Sequence, residues 1–560
     1  MRWGTTVFWL ALAALSGRHG WAQAQESTPR QASTTTGQPA MVARLADPQG
    51  VRTRLGLEPE YRNVPGLASL KVAVLDYGFE GMEQGRPYLP KNTVVVEHYE
   101  PEFVQRYAEL GDPAYRKGFE PFNRHGRIMA QIVWAVTGLH PEGPRFYLLN
   151  ANGPTMLRRA VRYAIEQKVD VILFSGAFEG GGNGDGRGPI NRIVSDALDA
   201  GILWINASGN YGRSVYNGPV KVLKDGYLRL RNGSDVAALR FRNRLDENSV
   251  TITLTWNDYR EEEDAGTDKD LDLYVEDWAG HRIGAGEKKQ VSGTHPTGPD
   301  ESRNPRERVV LTDLAASPDV PSDPDYTYRI RVKSRRGQFT AKDRIRILLT
   351  ASHDIYVPPK GNAPEPAVEF LDATNEEEIY PPADHPLVLT VGDSSPGSSI
   401  GPTADRRLKP DVILEDSHAF FTDGQISGGS SDAAAYIAGV VTVLKAAEPG
   451  LRPSDLLRLA QQGQLVSDAM RGAAQSSAAI ISTNSRTVIT KGATIRLPAA
   501  RTNTAVPPPP PPRFPGTTTR TVPSPPLPRP PGTSLSTYQS LRIWRTPTRV
   551  RLAEIVRTGR

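Results

Sequence analysis

A carboxylate, an imidazole, an amide and a hydroxyl suffice for acyl transfer. The hydroxyl attacks, the imidazole takes its proton, the carboxylate orients the imidazole, and the amide N–H stabilises the oxyanion. This chain offers all four at points where it should turn. Asp76 ends the apolar run LKVAVLD (70–76). His125 opens the helical pattern NRHGRIMAQIVWAVTG (123–138) and is followed by Gly126, which permits close approach of another backbone. Asn210 ends the run ILWINASGN (202–210). The stretch ISGGSSDAAAYIAGVV (426–441) sets Ser427, Ser430 and Ser431 before an alanine-rich helix. Each residue has an ordinary reading when taken alone. Serine caps helices, Asp and Asn make turns, and a histidine at a helix start is commonly structural. Their joint order, Asp, His, Asn, Ser, each at a strand end or helix start, points to chemistry.

The elements that must hold these residues follow from periodicity. Residues 70–76, 145–151, 169–175 and 202–210 are runs expected to form buried parallel strands. Between them, 155–167 and 190–201 carry apolar side chains at helical spacing. Alternation of this kind predicts an α/β fold, a doubly wound parallel sheet with helices on both faces. Its ligand sites should lie at the carboxyl ends of the strands. After about residue 215 the rhythm changes to period two. Val250, Ile252, Leu254 and Trp256 alternate with threonines, and Tyr328, Ile330 and Val332 alternate with arginines. That pattern predicts an antiparallel β-sandwich. The first rhythm returns in HPLVLTVGDS (385–394), so the sandwich is inserted.

The resulting organisation is a signal peptide over 1–24, a flexible segment over 25–40, and an α/β domain in two parts, 41–215 and 376–484. The sandwich fills 216–375, a Pro-rich linker 485–540, and a basic tail 541–560. The signal peptide rests on Arg2, the short apolar core 7–15 and the small-residue site Ala22-Gln23-Ala24. A secreted location, extracellular or periplasmic, follows from it. No second apolar run is long enough to anchor the mature chain. With 67 basic and 62 acidic residues, the net charge of +5 gives no reason to invoke nucleic acid. The absence of cysteine excludes thiol nucleophiles and thiolate metal sites. The proline runs cannot form helix or inner strand and should be a stiff spacer. The tail is a candidate for surface or partner contact.

The motifs together resemble the subtilisin-like serine proteases, the subtilase (peptidase S8) family. VAVLDYGF (72–79) resembles the family's aspartate motif, NRHGRIMA (123–130) its histidine motif and ILFSGA (172–177) its cleft strand. ASGN (207–210) resembles its oxyanion motif, GSSDAAAYIAG (429–439) its serine motif, and SIGPTADRRLKPDV (399–412) a segment preceding the serine. The resemblance implies a catalytic triad of Asp76, His125 and Ser431, with Asn210 as oxyanion donor. It implies a substrate cleft flanked by Ser175, Gly176, Ala177, Ala207, Ser208 and Gly209. The implied activity is endopeptidase hydrolysis of a polypeptide through an acyl-enzyme.

Several positions depart from the pattern. Tyr77 follows the aspartate, Arg127 and Ile128 follow His-Gly, and Ser430, Ala435 and Tyr436 alter the serine block. Tyr77 and Arg127 are bulky and would narrow or charge the site. The segment 25–66 is short for a folded inhibitory propeptide. Two other readings stay open: a non-hydrolytic binding protein on the same scaffold, and a protease acting only on itself. No cofactor is required. Calcium, a cation that takes several hard oxygen ligands, is a candidate at Asp268, Asp270, Asp272 and Asp277 of the inserted sandwich.

Overall fold

The computed structural model describes residues 45–55, 64–79, 88–96, 124–262, 265–293, 298–318, 326–352, 356–357, 365–462 and 487–489. The signal peptide, the flexible segment 25–40, the Pro-rich runs and the basic tail lie outside them.

The apolar runs pair in parallel. β1 (Lys71–Asp76), β2 (Val94–Val96), β3 (Arg145–Asn150), β4 (Val171–Phe174) and β5 (Leu203–Ala207) form one side of an eight-stranded sheet. Further strands, β6 (Val215–Pro219) to β14 (Val368–Phe370), intervene before the chain returns to this sheet. β15 (Leu389–Asp393), β16 (Val412–Leu414) and β17 (Thr487–Ile489) then complete it, in the order β2-β3-β1-β4-β5-β15-β16-β17. The last of these falls beyond residue 484.

Strand side chains alternate between two cores. Val72 and Val74 of β1 face one that includes α2 (His125–Val136) and α5 (Ser430–Ala447). Ala73 and Leu75 face another that includes α3 (Pro154–Glu166) and α4 (Pro189–Asp199). Burial on both faces is why these strands read as unbroken apolar runs. α5 is buried on nearly every side, and its small residues let α2 approach. A Cβ at Gly439 would collide with Val136. Two more helices complete this side. α1 (Pro48–Arg54) lays Val51 against the α2 core, and α6 (Pro453–Gln461) adds Leu456.

The inserted strands are antiparallel. A four-stranded sheet joins the strand Arg306–Leu314, β8 (Asn248–Trp256), the strand Arg344–Ala351 and β6. A five-stranded sheet contains β7 (Leu239–Asn243), β9 (Asp270–Glu276), the strand Tyr328–Arg336 and β14. Alternate residues from both sheets, among them Phe241, Ile252, Leu273, Ile330 and Ile347, fill one shared core. The outward residues pair across strands. Arg331 donates to Glu276 at 2.7 Å and to Asp235 at 3.0 Å.

Candidate active site

β1 ends in a carboxylate whose two oxygens are both used. Asp76 Oδ1 accepts the Tyr77 backbone N–H at 2.8 Å, and Oδ2 lies 2.8 Å from His125 Nδ1. The imidazole is brought there because α2 starts almost against the strand end. The Gly126 N–H donates to the Gly78 carbonyl at 2.8 Å. A Cβ at Gly126 would sit 2.5 Å from Phe79 and 2.6 Å from the Asp76 Cβ, so no larger residue fits. Asp76 is 1% exposed and His125 8%. In this setting Nδ1–H donates to the carboxylate, which presents Nε2 as the basic nitrogen.

The serines lie at the N-terminus of α5. Gly429, at φ 103°, is in the left-handed region that favours glycine, and it turns the chain into the helix. Ser430 N–H and Oγ donate to Asn210 Oδ1 at 3.2 and 2.9 Å. The Gly209 N–H donates to Ser430 Oγ at 3.2 Å. Ser430 thus ties the amide of Asn210 to the helix start with its oxygen engaged. Ser431 sits one residue on, where backbone N–H groups and the helix dipole favour negative charge. Its hydroxyl donates to the Ser175 carbonyl at 3.3 Å rather than to His125 Nε2, and Ser175 Oγ returns a bond to the Ser431 carbonyl at 3.1 Å.

The cleft residues come from two adjacent parallel strands. Ser175, Gly176 and Ala177 follow β4; Ala207, Ser208 and Gly209 close β5. Asn206 Nδ2 donates to the Gly176 carbonyl at 3.0 Å and joins the two segments. The segment 399–412 buttresses them. Ser399 N–H donates to the Gly209 carbonyl at 2.9 Å, and Tyr211 N–H donates to Ser399 Oγ at 3.0 Å.

Tyr77 does not simply narrow the site. Its ring stacks on the His125 imidazole, centroids 5.6 Å apart and planes 13° apart, and it is buried with it. Arg127 is buried within α2. Tyr436 sends its hydroxyl to the His418 carbonyl at 3.0 Å, bracing the loop that leads to the serines.

Two acids near the site carry no motif. Glu179, two residues past Ala177, accepts from Thr253 Oγ1 of the sandwich at 3.0 Å. Burial pushes its carboxyl up, against the pull of Arg308. Asp432 follows Ser431 directly and is 1% exposed. Its sequence signal is an acid placed between the serines and an all-alanine run.

Asp272 takes the Arg335 guanidinium and the Tyr274 hydroxyl, and Asp277 accepts His281 N–H at 2.8 Å. Burial pushes the Asp270 carboxyl up, with Asp272 adding to it. Among the described residues, no group of three or more His, Cys, Asp or Glu is gathered for a metal ion.

Comparison with known proteins gives a family match over part of the chain. The subtilase family model matches residues 331–492, which contain Ser431 and its block. That segment of the chain is subtilase-like. The matched family is one of serine-type peptidases of the subtilisin kind. The match does not reach Asp76 or His125. No curated protein matches the chain. Among solved structures, the Clostridium perfringens CspB protease is similar at 14% identity and a TM-score of 0.47, over 78% of this chain and 95% of that one. MycP1 with its N-terminal propeptide removed is similar at 15% identity and a TM-score of 0.28, over 74% and 89%. MycP1 from Mycobacterium smegmatis is similar at 14% and 0.27, over 76% and 80%. Among the described residues, no helix is long and apolar enough to cross a membrane.

Proposed function

We propose that the protein is a secreted serine endopeptidase that cleaves polypeptides through Asp76, His125 and Ser431. The observation that carries this reading is the 2.8 Å contact of Asp76 Oδ2 with His125 Nδ1, beside a serine at the start of α5. Ser431 Oγ attacks the peptide carbonyl while His125 Nε2 takes its proton. Asp76 holds the ring and stabilises the imidazolium. The oxyanion takes the Asn210 Nδ2 donor and the Ser431 backbone N–H. His125 then protonates the leaving amine, an acyl-enzyme remains, and water attacks it by the reverse proton path. Ser175 to Ala177 and Ala207 to Gly209 flank the substrate. Residues 41–215 and 376–484 are read as the catalytic domain, doubly wound, and 216–375 as its insert.

The test is labelling by a fluorophosphonate with Ser431→Ala alongside, together with casein digestion. Labelling lost in the variant, and casein cleaved only by the parent, is the expected result. No labelling of folded protein would overturn it. One observation favours a latent or non-hydrolytic form: Ser431 Oγ is engaged by the Ser175 carbonyl at 3.3 Å. Attack requires that hydroxyl to rotate towards His125. Unbound sites often tighten such bonds only with substrate present, so the hydrolytic reading is preferred. Calcium binding by the sandwich aspartates is tested by thermal melting with chelator; an unchanged Tm removes it.

A further inference from the structure

The buried acid next to Ser431 has no role in the triad. Asp432 lies in the first turn of α5, which runs beneath the site. Its Oδ1 accepts from Ser427 Oγ at 2.9 Å, while Oδ2 is buried with no hydrogen-bond partner. A buried carboxylate oxygen without a donor is costly, and binding a proton relieves the cost. The start of the helix pulls the other way, since its dipole favours the carboxylate.

The charged groups around Asp432 come from three directions. His125, with Asp76 behind it, faces it from α2 and β1. His418 faces it from the loop 415–418 and pairs with Asp416 at 2.9 Å. Asp393, at the end of β15, faces it from the sheet. Its Oδ2 accepts Ser417 Oγ at 3.0 Å and its Oδ1 accepts Ser395 Oγ at 2.6 Å. Burial pushes the Asp432 carboxyl up to about 7; Asp393 adds to this, and Ser427, His125 and His418 oppose it. His418 is exposed, so solvent screens its charge. His125 is buried, so its charge is felt.

We propose that Asp432 is a positioning residue of the hydrolytic site, a buried carboxyl that acts on the reaction through the charge of His125 rather than by touching substrate. The proposal rests on the triad reading above. As a carboxylate, Asp432 favours the imidazolium. As a neutral acid it does not. The two groups then lose their protons in steps that belong to the pair. Neutral His125, the form that acts as base, is reached at higher pH than it would be beside an uncharged neighbour. The working range of the enzyme is shifted upwards by one residue that never meets the peptide.

The experiment follows the His125 imidazole by NMR titration in Ser431→Ala protein, with and without Asp432→Asn. In Ser431-containing protein, the fluorophosphonate labelling rate is measured against pH with the same change at 432. Asp432→Asn should move the His125 midpoint down by about one pH unit and turn a two-step curve into one. The acid limb of labelling should move with it. Asp432→Met should act likewise, and it serves if the asparagine variant does not fold. His418→Gln should leave both curves in place. Superimposable His125 titrations overturn the proposal, as does an equal displacement by His418→Gln. The titration does not need turnover. A displaced midpoint without labelling therefore counts against the triad reading alone, whereas normal labelling with an unmoved midpoint counts against the role of Asp432 alone.

Discussion

The parallel sheet and the inserted sandwich both bury polar side chains, but to different ends. In the sandwich the charges bind neighbouring strands to each other: Arg331 to Glu276, Arg240 to Asp372, Lys269 to Asp258 and Asp343. In the parallel layer the polar groups end different elements and converge. Asp76 ends β1, His125 begins α2, Asn210 follows β5 and Ser431 begins α5. A ladder charge is replaceable by anything that keeps the strands together. A convergent group is not, because its value depends on the atoms it faces.

Substitutions should separate the two regions by size of effect. Ser431→Ala should reduce kcat/KM by about 10⁴-fold or more, because triad members act as a unit; a fluorogenic peptide assay reads it. Asn210→Ala should cost about 10²–10³ in kcat, with KM less affected, a scale set by the equivalent donor of subtilisin itself. If Asn210→Ala is neutral, the oxyanion reading fails while the triad stands.

Gly126→Ala sits between the two regimes. The added methyl meets Phe79 and the Asp76 Cβ, so overpacking should cost about 1–3 kcal/mol in denaturant melts and also displace His125. Stability lost with activity unchanged would mean the strand–helix contact is not what positions the imidazole.

Glu307 tests the sandwich through pH. Burial pushes its carboxyl up to about 7 from an ordinary 4.5. Between those values the folded state holds a proton the unfolded chain has lost. Stability is therefore fully present below 4.5 and falls as pH rises towards 7. Glu307→Gln should remove about 2 kcal/mol of that fall. Melts at pH 5 and pH 8 measure it, and parallel changes in both proteins would refute it. Arg331→Ala should be the mildest, at most about 1 kcal/mol with peptidase activity unchanged.

Legibility in the sequence tracks burial on two faces. β1, β3, β4 and β5 are legible because both sides of each strand are covered, and α3 and α4 because their apolar spacing is regular. The sandwich strands are legible because one face is wet. α1 is not, since PQGVRTR has Val51 as its single large apolar residue and depends on α2 for its place. β17 is hidden for a similar reason: three residues gain their strand character only by pairing with β16. Asp76 meets His125 and Ser430 meets Asn210 at the strand ends and helix starts that the motif order marks. Tyr77 reads as an obstacle in the sequence because its bulk is visible there and its stacking on His125 is not. Asp432 reads as helix-cap chemistry, since only packing reveals that its second oxygen has no donor.

The bonds from Ser430 to Asn210 cross 220 residues of sequence, because the whole sandwich is spelled out between them. A ribosome adding about 5–20 residues per second needs roughly ten to forty seconds to cover that span. During that time the aspartate, histidine and oxyanion segments have been synthesised, and the serine has not. A chain of this design lacks Ser431 while its early segments emerge, so no cleavage that needs that hydroxyl can begin until the serine segment has been made.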